Sequence, residues 1–243
     1  MKVLITALFI CLFSIGNVTA EKLKIAANSW APFVGEELVN KGFSTDLVTN
    51  ILNKAGYEYE VHIVPWARAL NGTYDGDYDA LYVAWYSDER AKKLNYAEPY
   101  LVNRIKFIKR KGEKVTYKTL EDLKAYKIGI ARDYAYQAEF DNATFLKKET
   151  ARTFVLNLKK LLAKRVDLTL EDEWVAKYEI ANKLKEAEGK VEFIDNALSE
   201  NPLHFVVSRK NPNHETIVKK FNEALAALKK DGTYDEIKAL HGF

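Results

Sequence analysis

The chain has 243 residues, of which 48% are hydrophobic and 29% charged, with a net charge of +3. That length and composition suit one large soluble domain or two small ones, each able to bury a core. Basic and acidic residues are interleaved throughout, which argues against a nucleic acid partner and against a membrane-surface patch, since both need clustered positive charge.

Lys2 is followed by "VLITALFICLFSIG", an apolar run of signal-sequence length, and "NVTA" puts Val18 and Ala20 where a signal peptidase reads. A membrane span needs roughly 20 apolar residues, and this run is shorter. Residues 1–20 are therefore expected to be a cleaved signal peptide, leaving a mature chain from Glu21 in a bacterial periplasm. Cys11 is the one cysteine and lies inside that segment. The mature chain would then have no disulfide, no thiol nucleophile and no thiolate metal ligand.

"KLKIAAN" (22–28) predicts a strand and "SWAPFVGEELVNKG" a loop. Phe43, Leu47, Val48, Ile51, Leu52 and Ala55 fall on one helical face, and Gly56 closes that helix. "YEYEVHIV" alternates as a strand. "PWARAL" opens a short helix, with Pro65 near its start where proline is tolerated. "NGTYDGD" reads as a turn and "YDALYVAWY" as a buried strand. The pattern then repeats. Thr119 and Asp122 mark a helix start, "YKIGIA" a strand, "TARTFVLNLKKLLAK" an amphipathic helix, "VDLTLE" a strand and "DEWVAKYEIANKL" a helix. "NRIKFIKRKG" and "LHFVVSRK" are strand-like segments between the units and after them. The tail helix places Ile217, Phe221, Leu225 and Leu228 on one face.

This alternation predicts an α/β protein of two lobes, each a doubly wound sheet, joined by two crossing hinge strands. The expected limits are 21–108 plus 206–243 for the first lobe and 109–205 for the second. In open α/β sheets ligands bind beyond the carboxyl ends of the strands. Two facing lobes on a hinge would close around such a ligand.

Taken together, "WAPF", "GFSTDL", "PWARAL…YDALYVAWYSDERAKKLNYAEPY", "TLEDLKAYKIGIA", "RVDLTLED" and "FNEALAALKKDGTYDEI" resemble the family 3 periplasmic solute-binding proteins of the polar amino acid type. The resemblance runs over the whole mature chain. It implies the two-lobed type II periplasmic-binding-protein fold and binding of an amino acid or related zwitterion or cation. It also implies delivery to an inner-membrane ABC permease, or alternatively to a receptor, by a protein expected to be a monomer without a cofactor.

The resemblance also implies site residues. The family's carboxylate-binding arginine is matched by Arg90 in Ser87-Asp88-Glu89-Arg90, and a guanidinium fork suits a planar carboxylate. Its ammonium-binding aspartate is matched by Asp172 in "RVDLTLED", although an aspartate opening a helix also serves as an N-cap. Trp30 and Trp66 match the aromatic walls. Trp85 and Trp174 fall at expected cleft edges as well. Where the family usually carries Gly-Thr or Gly-Ser, this chain has Asp133 and Tyr134, so the ligand-carboxylate grip is altered and Arg68 is a candidate to supply positive charge. An enzyme reading would draw on Glu171 or Glu173 beside Asp172 as acid or base. The four histidines stand isolated, with no metal-ligand spacing.

Overall fold

The computed structural model describes residues 22–132, 134 and 136–243. The expected signal segment and Asp133 lie outside the described residues. The first half contains β1 (Leu23–Ala27), α1 (Phe43–Lys54), β2 (Tyr59–Ile63), α2 (Trp66–Asp75) and β3 (Ala80–Trp85). β1 pairs parallel with β2 on one side and β3 on the other. Short α3 (Asp88–Ala91) and β4 (Leu94–Tyr96) follow, then the long β5 (Leu101–Arg110).

The second half contains β6 (Lys127–Ala131), α4 (Ala138–Asn142), β7 (Lys147–Ala151), α5 (Phe154–Leu162), β8 (Leu168–Asp172) and α6 (Glu173–Lys183). Here β6 is the centre, parallel to β7 and β8. β9 (Val191–Ser208) returns through both halves, and α7 (His214–Asp231) and α8 (Thr233–Leu240) end the chain on the first lobe, with α7 packed on α1. The strand order is β2-β1-β3-β9-β5-β8-β6-β7, with β4 also on β9.

Each lobe has its own core. Ile25, Leu47, Ile51, Tyr82, Phe205 and Phe221 are among the buried residues of the first. Phe107, Leu123, Ile128, Phe140, Leu168 and Leu170 are among those of the second. The changeover lies within the hinge strands. Ile105 and Phe107 already pack in the second core, whereas Leu203 and Phe205 pack in the first. The expected lobe limits, at 108/109 and 205/206, lie in these two strands.

Three local expectations are corrected. "NGTYDGD" does not begin as a turn: α2 continues through Gly72 to Asp75 and ends at Gly76 with φ 88°. Gly72 is required there by packing, because a Cβ on it would sit 2.7 Å from the Tyr78 ring. "TARTFVLNLKKLLAK" is not one helix. Its first two residues end β7, and α5 starts only at Phe154, where the Thr153 hydroxyl accepts from the Leu156 N–H at 3.3 Å. "LHFVVSRK" is only the end of the 18-residue β9.

The loop between β1 and α1 carries Trp30. Trp30 N–H donates to the Val34 carbonyl at 2.8 Å, and Phe43 N–H donates to the Pro32 carbonyl at 3.1 Å. Gly42 lets the chain turn from this loop into α1, with φ 94° and ψ 163°, a conformation open essentially to glycine alone. A Cβ there would lie 2.6 Å from the Phe33 carbonyl oxygen. Gly42→Ala is expected to cost at least about 1–3 kcal/mol of folding stability, measured by urea unfolding. A variant as stable as the wild type would remove this loop from the determinants of the fold.

Candidate functional site

Parallel β1 and β3 end side by side near Ala27 and Trp85, and α2 begins close by at Trp66. Their carboxyl ends open on a cleft of about 290 Å³. Trp30, Trp66 and Trp85 form its walls, Asn28 and Val83 line it as well, and Arg90 and Tyr134 complete it. Trp30 meets Trp85 edge to face, with centroids 5.7 Å apart. A larger depression of about 690 Å³ lies by Leu23, Lys24 and Asp79. It sits at the amino ends of the same strands, the end where such sheets do not ordinarily bind ligands.

Arg90 reaches the cleft because β3 stops at Trp85 and a single turn of helix follows. Ser87 caps that turn, its hydroxyl accepting from Arg90 N–H at 3.3 Å. The guanidinium lies 5.1 Å over the Trp66 ring, and Nη1 donates to the Trp85 carbonyl at 2.9 Å. Among the described residues no carboxylate lies within 4.0 Å of it. An arginine has five N–H donors, and ring and carbonyl hold its orientation while leaving donors for an anionic group.

Trp30 and Tyr134 also border a second chamber, of about 360 Å³, on the side of the second lobe. Phe154, Val155 and Val175 make its apolar walls, and Glu171 lines it. Glu179 and Lys183 stand at its edge, paired with each other at 2.7 Å. Glu171 is only 4% exposed. It accepts from the Asp172 N–H at 2.9 Å, and the Tyr134 phenol lies nearby. Burial outweighs the stabilisation these give and pushes its carboxyl up to about 7. The Tyr134 hydroxyl is held well above the ordinary phenol range, first by burial and then by the negative charge of Glu171.

Of the residues expected from the sequence, Trp30, Trp66, Trp85, Arg90 and Tyr134 come together in the first cleft. Asp172 does not. It is fully buried as the N-cap of α6, with Oδ1 accepting from the Trp174 and Val175 N–H groups at 2.9 and 3.0 Å. Its Oδ2 accepts from Asn103 Nδ2 at 3.0 Å, and Asn103 Oδ1 in turn accepts from Trp85 Nε1 at 2.9 Å. Burial still raises Asp172 to about 6. Arg68 is exposed on the outer side of α2, beside Asn71 and Asp75. Two residues of helix turn it about 200° from Trp66, so it cannot supply charge to the same cleft. Trp174 stacks on Phe243 at 4.5 Å, joining the two lobes outside the cleft. Glu173 is taken up by Lys106 at 3.4 Å and Arg104 at 3.7 Å. Glu171, expected from the sequence only as a candidate acid or base, lines the second chamber. Its place in a strand beside the capping aspartate was the available signal.

Among the described residues no group of three or more His, Cys, Asp or Glu side chains is placed to hold a metal ion. The family model of the bacterial extracellular solute-binding proteins, family 3, matches residues 23–242. The L-cystine-binding protein TcyJ of Escherichia coli (strain K12) is 25% identical over 203 residues, covering 83% of this chain and 74% of that one. The ABC transporter arginine-binding protein 1 of Escherichia coli (strain K12) is 25% identical over 247 residues, covering 98% and 97%. An ancestral cationic amino acid solute-binding protein shares the fold, with a TM-score of 0.70 at 22% identity over 89% of this chain and 93% of that one.

The buried Glu171 has a consequence for stability. Its folded value of about 7 lies above the ordinary 4.5. Between those values the folded protein holds a proton that the unfolded chain has lost, so stability falls as pH rises through this window. Asp172, raised from 3.8 to about 6, acts in the same direction. Glu171→Gln removes the penalty of a buried charge. In the ligand-free protein it is expected to gain about 1–2 kcal/mol at pH 8, or roughly 2–8 °C in melting temperature, and nothing near pH 4.5. Thermal melts at the two pH values check this, and an equal effect at both would refute it.

Proposed function

The chain belongs to the bacterial extracellular solute-binding proteins of family 3, and we propose that it captures a small amino-acid-type zwitterion or cation between its lobes and delivers it to an ABC transporter. One observation carries the reading. Arg90 is held by the Trp66 ring and the Trp85 carbonyl at the mouth of a cleft walled by tryptophans, with no carboxylate within 4.0 Å among the described residues. A guanidinium so held is preorganised for a ligand carboxylate, and little ordering remains to be done when the ligand arrives.

Three tryptophan faces reward a flat, apolar or cationic body, each cation–π contact contributing about 0.5–2 kcal/mol. The buried carboxyl of Glu171 on the other side of Trp30 and Tyr134 disfavours a second anionic group on the ligand. Dicarboxylic amino acids are therefore expected to bind weakly. The names of the two Escherichia coli relatives, for L-cystine and for arginine, support an amino acid as the ligand class. The two paired hinge strands support closure around it. Export to the periplasm through residues 1–20 and action as a monomer beside an inner-membrane permease complete the proposal.

Removing one partner of a desolvated charge pair costs roughly 2–5 kcal/mol. Arg90→Ala is expected to weaken binding of the native ligand by about 30-fold or more with its fold intact, as followed by calorimetric titration and circular dichroism. Native ligand binding should also change tryptophan fluorescence. Wild-type affinity in the variant would take Arg90 out of the site. The intact mass of the exported protein should correspond to a chain starting at Glu21, and a mass that includes Lys2 would overturn the signal-peptide reading.

A further inference from the structure

We propose that the second lobe carries, apart from the cleft and independently of what binds there, a site for a multiply charged ligand bearing anionic phosphate groups. The site is a depression of about 670 Å³ in which every charged lining residue is basic: Arg132, Arg152, Lys159, Lys160 and Arg165. Its volume falls within the roughly 300–1,000 Å³ of small-molecule sites.

Basic and acidic residues are interleaved along the chain, yet the fold gathers these five in space. β6 and β7 run parallel with Ala131 opposite Ala151, and the Arg132 N–H donates to the Ala151 carbonyl at 2.9 Å. Arg132 and Arg152 therefore leave neighbouring strands side by side, on backbones about 4.8 Å apart. On α5, Leu156, Lys159, Lys160 and Ala163 follow the i, i+3, i+4, i+7 spacing of one helical face, and that face lines the depression. Lys164, with φ 58°, then turns the chain, and the Arg165 N–H donates to the Lys160 carbonyl at 2.9 Å. That turn keeps Arg165 at the end of α5.

The positive charge is left largely uncompensated. Arg152, Lys159 and Arg165 have no carboxylate within 4.0 Å among the described residues, and Lys160 reaches only Glu149, at 3.9 Å. The dipole of α5 accounts for Lys159 and Lys160, which stand in its last turn. It works against Arg152, which lies just before the amino end of the same helix. Like charges so placed repel one another, and an anion entering the depression relieves several repulsions at once. A phosphate group brings up to two charges and three acceptor oxygens, and a guanidinium fork binds two of those oxygens in parallel. More than one such group is needed to answer five cations. Leu156, 44% exposed among them, offers an apolar contact to the body that carries the phosphates.

Calorimetric titration with pyrophosphate, and with citrate as a carboxylate anion of similar charge, tests this at about 0.15 M ionic strength, where distant charges are screened. Wild type is expected to bind pyrophosphate about tenfold more tightly than citrate. Arg152→Gln combined with Arg165→Gln should lose about tenfold or more in pyrophosphate affinity, with a melting temperature no lower than that of wild type in the absence of ligand. Lys219→Gln combined with Lys220→Gln removes the same charge from α7 of the first lobe and should change the affinity by less than about threefold. Equal losses in the two double variants overturn the site, because they report net charge alone. Citrate bound as tightly as pyrophosphate, or no pyrophosphate binding in wild type, also overturns it. Sedimentation with phosphatidylglycerol vesicles identifies the source of the phosphate, with phosphatidylcholine vesicles, whose phosphate is neutralised by choline, as the control. Capture of wild type but not of the arginine double variant by phosphatidylglycerol assigns the site to a lipid headgroup. Pyrophosphate binding without capture assigns it to a soluble phosphate, and capture of wild type and variant alike overturns a lipid source.

Discussion

The antiparallel pairing of β5 with β9 is the constraint on which the rest of the molecule depends. It runs from Leu101 opposite Leu203 to Arg110 opposite Val191, with register shifts around Ile105 and Lys106. One end of the ribbon belongs to the first core and the other to the second. Two hydrogen-bonded strands resist twisting about either one but still bend, and irregular register adds local twist. Asn103 sits in this ribbon, fully buried, and bonds Trp85 of one lobe and Asp172 of the other. Cleft wall, hinge and the start of α6 are thereby one hydrogen-bonded unit.

Around that unit the charges are arranged at some cost to stability. Arg90 has a carbonyl and an aromatic face for company, and Glu171 has a phenol and a backbone amide. Ion pairs elsewhere satisfy themselves, as Glu173 does with Lys106 and Arg104. Groups left incompletely paired in a partly dry cleft interact strongly with whatever charge enters, because the surrounding medium screens poorly. The two lobes also meet outside the cleft. Trp174 of the second lobe stacks on Phe243, which stacks in turn on Phe43 of the first lobe at 4.3 Å.

Much of this was legible in the residues. The apolar face of α1 is buried at Phe43, Leu47, Val48, Ile51 and Leu52, the positions that periodicity marks. Trp30, Trp66, Trp85 and Arg90 sit where strand ends and their motifs put them. The failures have particular causes. Gly72 looks like a turn residue but serves as a space for the Tyr78 ring, a contact between positions that local pattern does not register. β7 carries lysines and glutamate, "KKETA", with little apolar alternation to announce it, because it is the edge strand of its sheet. Arg68 is near Trp66 in sequence and on the other side of the helix in space.

The sequence by itself determined the alternation of strands and helices, the two-lobed class and the end of the sheets where a site could lie. These follow from local periodicity and from the handful of ways amphipathic elements can be layered. The tertiary structure alone placed each carboxylate in its own surroundings. Glu171 and Asp172 are adjacent and alike in chemistry, and the motif match singles out Asp172. Their surroundings differ because β8 turns its successive side chains to opposite faces and passes directly into α6. The helix then draws Asp172 to its unsatisfied amide groups, while Glu171 stays against a cavity built from residues of both lobes.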